Sequence, residues 1–252
     1  MMNNLQKIEY ISGWIKDYVN NMNNPAKTLV IGVSGGIDSA LTSTLASLTG
    51  INTIIVTMPI KTNAHQTDLG TVHSGWLTDK YNNAIHYQIN LTDTYRSFHS
   101  TLREKNQQSD LGFANSKARL RMMALYQVAA SNSGIVVGTG NKVEDFGVGF
   151  YTKYGDGGVD ISPIADLMKS EVKELSTTLG IDSRIINAEP TDGLWDDGRT
   201  DENQIGMSYE ELEEAMTNIQ SINRDKYEKI RQNNTHKMEP IPVCKLPRDI
   251  LK

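Results

Sequence analysis

Apolar residues recur at helical spacing at the start of the chain. Leu5, Ile8, Ile11, Trp14, Ile15, Tyr18, Val19 and Met22 predict an amphipathic helix over 4–22, and Asn23-Asn24-Pro25 ends it. The pattern then changes to short, unbroken apolar runs: TLVIGV (28–33), NTIIVTM (52–58), AIHYQI (84–89) and GIVVGT (134–139), each read as a buried strand. Helices are expected between them: from near Gly36 to about Leu48 with a stop at Gly50, over 64–80, over 91–106 and over 114–132, with a break near Gly112. Strands that alternate with helices in units of ~30 residues form βαβ crossovers and a parallel sheet. Strands that are apolar throughout, instead of alternating, belong to a sheet covered on both faces. The expected fold is therefore α/β, a doubly wound, mainly parallel sheet with helices on both faces.

Beyond residue 150 the periodicity weakens. FYTKYGDGGVDISPIADL is rich in glycine and polar residues, and a short helix follows over 168–179, stopped by Gly180. The stretch 189–206 is polar, acidic and aperiodic, and a loop of that length in a compact domain is usually functional or mobile. SYEELEEAMTNI (208–219) restarts a helix with Ser208 as N-cap and Glu211 in the capping-box position, and another helix runs to about Gln232. No internal repeat or linker interrupts the chain, so residues 1–252 read as one domain.

Composition narrows the function. The net charge of −5, without a dense Lys/Arg run, argues against a nucleic-acid partner. A single cysteine, Cys244, excludes an intrachain disulfide and a CxxC metal or redox site. No signal-like N-terminus and no apolar run near the ~20 residues of a membrane span is present, so a cytoplasmic protein away from membranes is expected.

The chemistry concentrates at the end of the first strand, where Gly32, Val33, Ser34, Gly35, Gly36, Ile37, Asp38 and Ser39 read GVSGGIDS. Backbone N–H groups at a helix N-terminus cradle an anion, and adjacent glycines let it approach closely. Asp38 is badly placed against a phosphate unless a cation such as Mg²⁺ lies between them. The other phosphate loops, GxxxxGK[ST] and GxGxxG, are absent. A tight turn with a Ser/Asp cap would explain a lone Gly-Gly, but not the whole six-residue pattern. SGGIDS resembles the PP-loop of the ATP pyrophosphatases, whose members split ATP between the α- and β-phosphates and adenylate a substrate oxygen. The motif alone fits GMP, asparagine, argininosuccinate and NAD synthetases and tRNA-thiolating enzymes.

Further blocks narrow the resemblance. NSKARLRM (115–122), GTGNKVE (138–144), TKYGDGGVDISPIADLMKSEV (152–172), PTDGLW with GRTDE (190–202) and THK (235–237) are similar to NAD synthetase, in that family's order and across almost the whole chain. The resemblance implies an adenine nucleotide alpha-hydrolase-like fold and the ammonia-dependent reaction: ATP, deamido-NAD and ammonia give NAD, AMP and pyrophosphate. It implies Mg²⁺ on Asp38 and Glu144, ATP contacts from 32–39, Thr139, Lys169 and Thr191, and deamido-NAD contacts from Arg119, Lys153, Asp160, His236 and Lys237. Asp38 and Lys169 are the expected catalytic residues. It also implies a homodimer, for which the helices at 4–22 and 114–132 could supply apolar contact.

Some readings remain local. Arg121, two positions from Arg119, must point elsewhere and is expected in a surface or interface ion pair. Asp156 could serve a ligand or simply satisfy its own turn. The histidines at 65, 73, 86 and 99 form no metal spacing and are expected to be structural or on the surface. The loops 59–70 and 189–206 read as lids, since an acyl-adenylate must be kept from water. Two departures stand out: Gly140-Asn141 where many members carry Asp-His, and one additional residue between Glu144 and Lys153. A tRNA-thiolating enzyme would need catalytic cysteines and a basic surface. An ATP-binding module of the universal-stress type would need neither Glu144 nor the GDGG turn.

Overall fold

The computed structural model of the chain describes residues 2–60, 64–195 and 197–246. Four strands, β1 (Thr28–Gly32), β2 (Asn52–Thr57), β3 (Ala84–Gln88) and β4 (Gly134–Val136), form one sheet in the order β3-β2-β1-β4. Every pairing is parallel, with Val30 opposite Ile54 and Val136. The chain winds outward from β1 to β2 and β3, then returns to β4 on the other side of β1. That reversal is the topological switch point, where the ends of neighbouring strands part and leave a crevice. The sheet is the doubly wound one the periodicity implies.

Side-chain alternation along β1 explains the two layers. Leu29, Ile31 and Val33 enter one core with α1 (Asn4–Asn20), α2 (Ile37–Leu48), Leu77 of α3 (Ala64–Lys80) and α6 (Lys169–Leu179). Val30 enters the other with Tyr95 of α4 (Thr92–Arg103) and Ala129 of α5 (Asp110–Ser131). Full burial of one such aliphatic side chain contributes roughly 1.5–3 kcal/mol. A third cluster joins Val143 and Val148 to Leu212 of α9 (Tyr209–Thr217) and Tyr227 of α10 (Arg224–Met238). Two short helices, α7 (Ser183–Ile186) and α8 (Asp201–Ile205), complete the described elements.

Several expectations change. β3 is not a buried strand: it lies at the sheet edge, buries Ala84 alone and leaves Ile85 and Tyr87 exposed. Gly112 does not break a helix: α5 starts earlier, at Asp110, with the Ser109 hydroxyl capping the Gly112 N–H. β4 stops at Val136, not at 139, because the chain there bends to a single bridge between Val137 and Ile161. The Gly138 N–H donates to the Ile161 carbonyl at 2.7 Å. α10 runs past Gln232 to Met238, held by Tyr227 and Ile230 in the third cluster despite its polar second half. Finally, Lys142–Val148 forms a π-helix, which periodicity does not reveal. The helix expected over 64–80 is present, so of the lid expected over 59–70 the part from 64 onward is helix, and residues 61–63 lie outside the described residues. His73 is buried, with its Nε2 near the Ser43 hydroxyl and the Ala40 carbonyl, as a structural histidine should be.

Candidate active site

The turn after β1 is built before any ligand arrives. Gly35 has φ +97°, in the region that favours glycine. The Ser34 N–H donates to the Ser39 hydroxyl at 3.2 Å, the Gly36 N–H donates to the Ser34 hydroxyl at 3.1 Å, and the Ser39 hydroxyl donates to the Gly36 carbonyl at 2.9 Å. Gly36 is the N-cap of α2 and has no side chain to satisfy the first-turn N–H groups. Those donors and the positive end of the helix dipole are therefore left for an anion. The loop opens into a cleft of about 1020 Å³, large for a single small ligand. Residues 32–39, Thr139, Glu144, Lys169 and Thr191 all line it.

At one end of the cleft, three side chains from three elements meet. Lys169, the first residue of α6, places its Nζ 2.6 Å from Asp38 Oδ2 and 2.8 Å from Glu144 Oε1. Burial alone would lower the Lys169 pKa, but the Asp38 and Glu144 carboxylates outweigh it and hold the ammonium protonated. Burial pushes the Asp38 carboxyl up, and Lys169 only partly offsets this. Glu144 is also desolvated, yet Lys169 and the Tyr209 hydroxyl hold it below the usual carboxylate range. Two nearly buried carboxylates thus share one cation, and the group remains short of positive charge.

Two residues that sequence reasoning did not assign complete this group. Asn141 Nδ2 donates to Asp38 Oδ1 at 3.1 Å, while its Oδ1 accepts from the Val143 and Glu144 N–H groups. It therefore caps the π-helix and fixes both acids at once. The Tyr209 hydroxyl donates to Glu144 Oε1 at 2.6 Å, and the Lys169 Nζ lies 4.8 Å from the centre of its ring. Asn141 had a visible signal, an Asn just before a helical turn. Tyr209 had none, because 65 residues separate it from Glu144. At Gly140 an added Cβ would collide with the Asp145 carboxylate, so the missing side chain is what lets that acid stand in the cleft wall. Burial, then the Glu144 charge, pushes the Asp145 carboxyl up to about 8.

Residues 189–195, 197, 198, 200 and 201 form one wall. Thr191, Asp192, Leu194, Trp195 and Asp201 line the cleft. Lys117, buried on α5, holds the Leu194 carbonyl with its Nζ at 2.6 Å. Asp201 is buried, and its Oδ1 has no hydrogen-bond partner among the described residues. Burial, then the negative charge of Glu144, raises its carboxyl from 3.8 to about 7. Between those values the folded protein binds more protons than the unfolded chain, so stability falls as pH rises through that window. Asp201→Asn is therefore expected to melt higher than the parent at pH 8, by on the order of 2 kcal/mol. The advantage should shrink towards pH 4, and a pH-independent difference in melting temperature would refute this account.

The five residues expected to contact deamido-NAD do not line the cleft. Four cluster beside the GDGG turn. Arg119 Nε donates to the Lys153 carbonyl at 3.3 Å, Lys153 Nζ to the His236 carbonyl at 2.9 Å, and Lys237 Nζ to the Tyr151 carbonyl at 2.9 Å. Asp160 stands apart, accepting from the Tyr126 hydroxyl at 3.1 Å and the Val136 N–H at 2.7 Å. Gly155, Asp156 and Gly158 of the turn line the cleft and connect it to this basic cluster. Arg121 corrects the expectation of a surface ion pair: it lines the cleft and donates from Nε to the Met58 carbonyl at 3.2 Å. Its helical angle relative to Arg119 turns it inward.

A preformed anion cradle at the switch point of a parallel sheet, with carboxylates around a cation beside it, defines a nucleotide-binding α/β protein of the PP-loop type. Known proteins narrow this. The family model described as NAD synthase matches residues 7–247. An NH(3)-dependent NAD(+) synthetase from Mesoplasma florum is 38% identical over 234 residues, 92% of this chain and 91% of that protein. An NMN synthetase from Francisella tularensis superposes with a TM-score of 0.87 at 31% identity, covering 98% of this chain and 100% of that one. An NH3-dependent NAD synthetase from Campylobacter jejuni, in complex with the nitrate ion, gives 0.77 at 25% identity, covering 97% and 100%. The chain belongs to the NAD synthase family.

Proposed function

We propose that this chain amidates deamido-NAD with ammonia at the expense of ATP, as the last step of NAD synthesis. One observation carries the reading: the anion cradle and the Asp38–Lys169–Glu144 group share a single cleft. A nicotinate carboxylate oxygen attacks the α-phosphorus of ATP, and pyrophosphate leaves. Ammonia then attacks the activated carbonyl, the C–O bond to AMP breaks, and the extra proton on nitrogen is released as the amide forms. The first-turn N–H groups at 36–39, with Ser34, Thr139 and Thr191, orient the triphosphate, and Lys169 neutralises the departing pyrophosphate.

The donor set suits Mg²⁺, since two carboxylate oxygens already converge on a positive group and phosphate oxygens would complete the shell. Asp38 and Glu144 would hold it, and when bound it supplies neutralisation of charge on the phosphates. The acid substrate reaches from the cleft across the GDGG turn towards Arg119, Lys153, Asp160, His236 and Lys237. A homodimer is part of the reading. Outward-facing Leu111 and Met123 of α5, and Trp14 and Tyr18 of α1, offer it apolar surface. We place the reaction in the cytoplasm; no helix among the described residues is long and apolar enough to cross a membrane.

The segment 189–206 acts as a lid. ATP with deamido-NAD should protect it from limited proteolysis, and unchanged cutting between 189 and 206 counts against the lid.

A second reading concerns the acid. The NMN synthetase superposes over 98% of this chain, so nicotinate mononucleotide is the competing substrate. Incubation with ATP, Mg²⁺, ammonium and either acid tests both readings. NAD, AMP and pyrophosphate in equal amounts from deamido-NAD support the first, and NMN formed faster from the mononucleotide supports the second. If neither acid yields AMP and pyrophosphate, the amidation reading fails.

A further inference from the structure

Arg121 has a setting that the roles above leave unused. Among the described residues that line the cleft, only Arg121 and Lys169 are cationic, and acids that include Asp38, Glu144, Asp145, Asp156, Asp192 and Asp201 line it with them. Lys169 is taken by Asp38 and Glu144. Arg121 is not taken. Its one hydrogen bond among the described residues runs from Nε to the Met58 carbonyl at the end of β2. No carboxylate among the described residues forms an ion pair with it; Asp156 and Asp192 act on it only through their charge. Burial is the largest influence on this guanidinium, and it works against the charged form. An arginine nevertheless stays protonated in a protein. A desolvated fixed charge, with a planar fork and no close counter-ion, is a receptor awaiting an anion.

We propose that Arg121 is a substrate-binding residue whose two terminal nitrogens clamp an oxyanion of a bound substrate, beside Met58 in the cleft wall. The proposal rests on the amidation reading for the identity of that substrate. Two groups share the required chemistry, a pair of oxygens carrying negative charge: the α-phosphate of ATP and the carboxylate of the nicotinate acid. They meet where the carboxylate attacks. The anchor on Met58 fixes the side chain in advance, so little freedom is lost on binding.

The test uses the full chain, with Arg121→Gln and Arg121→Lys. Calorimetry measures binding of Mg-ATP, of deamido-NAD, of AMP and of nicotinate, alongside melting temperature. Arg121→Gln is expected to weaken one of the two substrates by about 10- to 100-fold. The other should stay within about threefold, with melting temperature unchanged. Arg121→Lys should recover part of the loss, since it keeps the charge but not the fork. A loss confined to ATP assigns the α-phosphate, and a loss confined to deamido-NAD assigns the carboxylate. Unchanged affinity for both in a folded Arg121→Gln overturns the proposal. So does an equal loss in both variants accompanied by a lowered melting temperature, which marks Arg121 as a strut for Met58. A parent protein that binds neither substrate sinks the amidation reading alone. AMP and free nicotinate, which carry the α-phosphate and the carboxylate alone, then decide for Arg121: a loss of either in the Gln variant upholds the clamp, and unchanged binding of both rejects it.

Discussion

Asp38→Ala is expected to lower turnover on the order of 10³-fold while leaving the fold intact. Asp38 is the second residue of α2, with one carboxylate oxygen on Lys169 and the other on Asn141. Its removal deletes half of the protein's donor set for a cation on the phosphates. It does not strand Lys169, which keeps Glu144 at 2.8 Å. Nor does it strand a buried negative charge: Asp38 is itself disfavoured by desolvation and by the Glu144 carboxylate, so its loss relieves crowding among acids. The melting temperature should therefore hold or rise. Pyrophosphate release measures the chemistry, and thermal unfolding measures the fold. Turnover at the parent rate would end the role given to this carboxylate, and unfolding would show that the residue is structural.

The parts of this molecule that were legible in the sequence are those set by local periodicity. β1 and β2 read as buried runs because helices cover both faces, whereas β3 at the sheet edge buries only Ala84 and leaves Ile85 and Tyr87 exposed; the order of alternation left a parallel sheet as the economical arrangement. The cradle after β1 was visible for the same reason: all its members lie within eight residues, and each glycine has a local cause. What escaped depends on residues far apart in sequence. The Tyr209 bond to Glu144 spans 65 positions and the Lys117 contact with Leu194 spans 77. Arg121 was misplaced because its neighbour Arg119 was assumed to mark the functional face of α5. The helix in fact serves two regions, the cleft and the basic cluster. The π-helix over Lys142–Val148 is seven residues long, too short for its own period to show in the sequence. Resemblance supplied the remaining site residues, and the structure draws Asp38, Glu144, Lys169, Thr139 and Thr191 into one cleft. Arg119, Lys153, His236 and Lys237 gather in a neighbouring cluster.

Lys169→Met is expected to cost activity and, separately, to turn the Asp38–Glu144 pair into a liability of the fold. Lys169 is only 12% exposed, and its ammonium is the one cation that both carboxylates contact among the described residues. Methionine fills similar volume without charge. The two acids, largely buried and close together, then repel each other, and breaking such a group by removing one partner costs roughly 3–5 kcal/mol. One acid can escape by taking up a proton, so the carboxyl pKa values of the variant rise above those of the unfolded chain. A raised carboxyl gives stability at low pH that is lost as pH rises, so the melting temperature of Lys169→Met should fall most above neutrality and recover on acidification. Millimolar Mg²⁺ should raise it as well, without nucleotide, because the freed carboxylates offer the donor pair that the ammonium had occupied. Turnover should drop on the order of 10²-fold, since the departing pyrophosphate loses its counter-charge. A Lys169→Met protein whose melting temperature ignores both pH and Mg²⁺ would show that this lysine does not stand where a metal ion binds, and the cation site would then have to be sought elsewhere in the cleft.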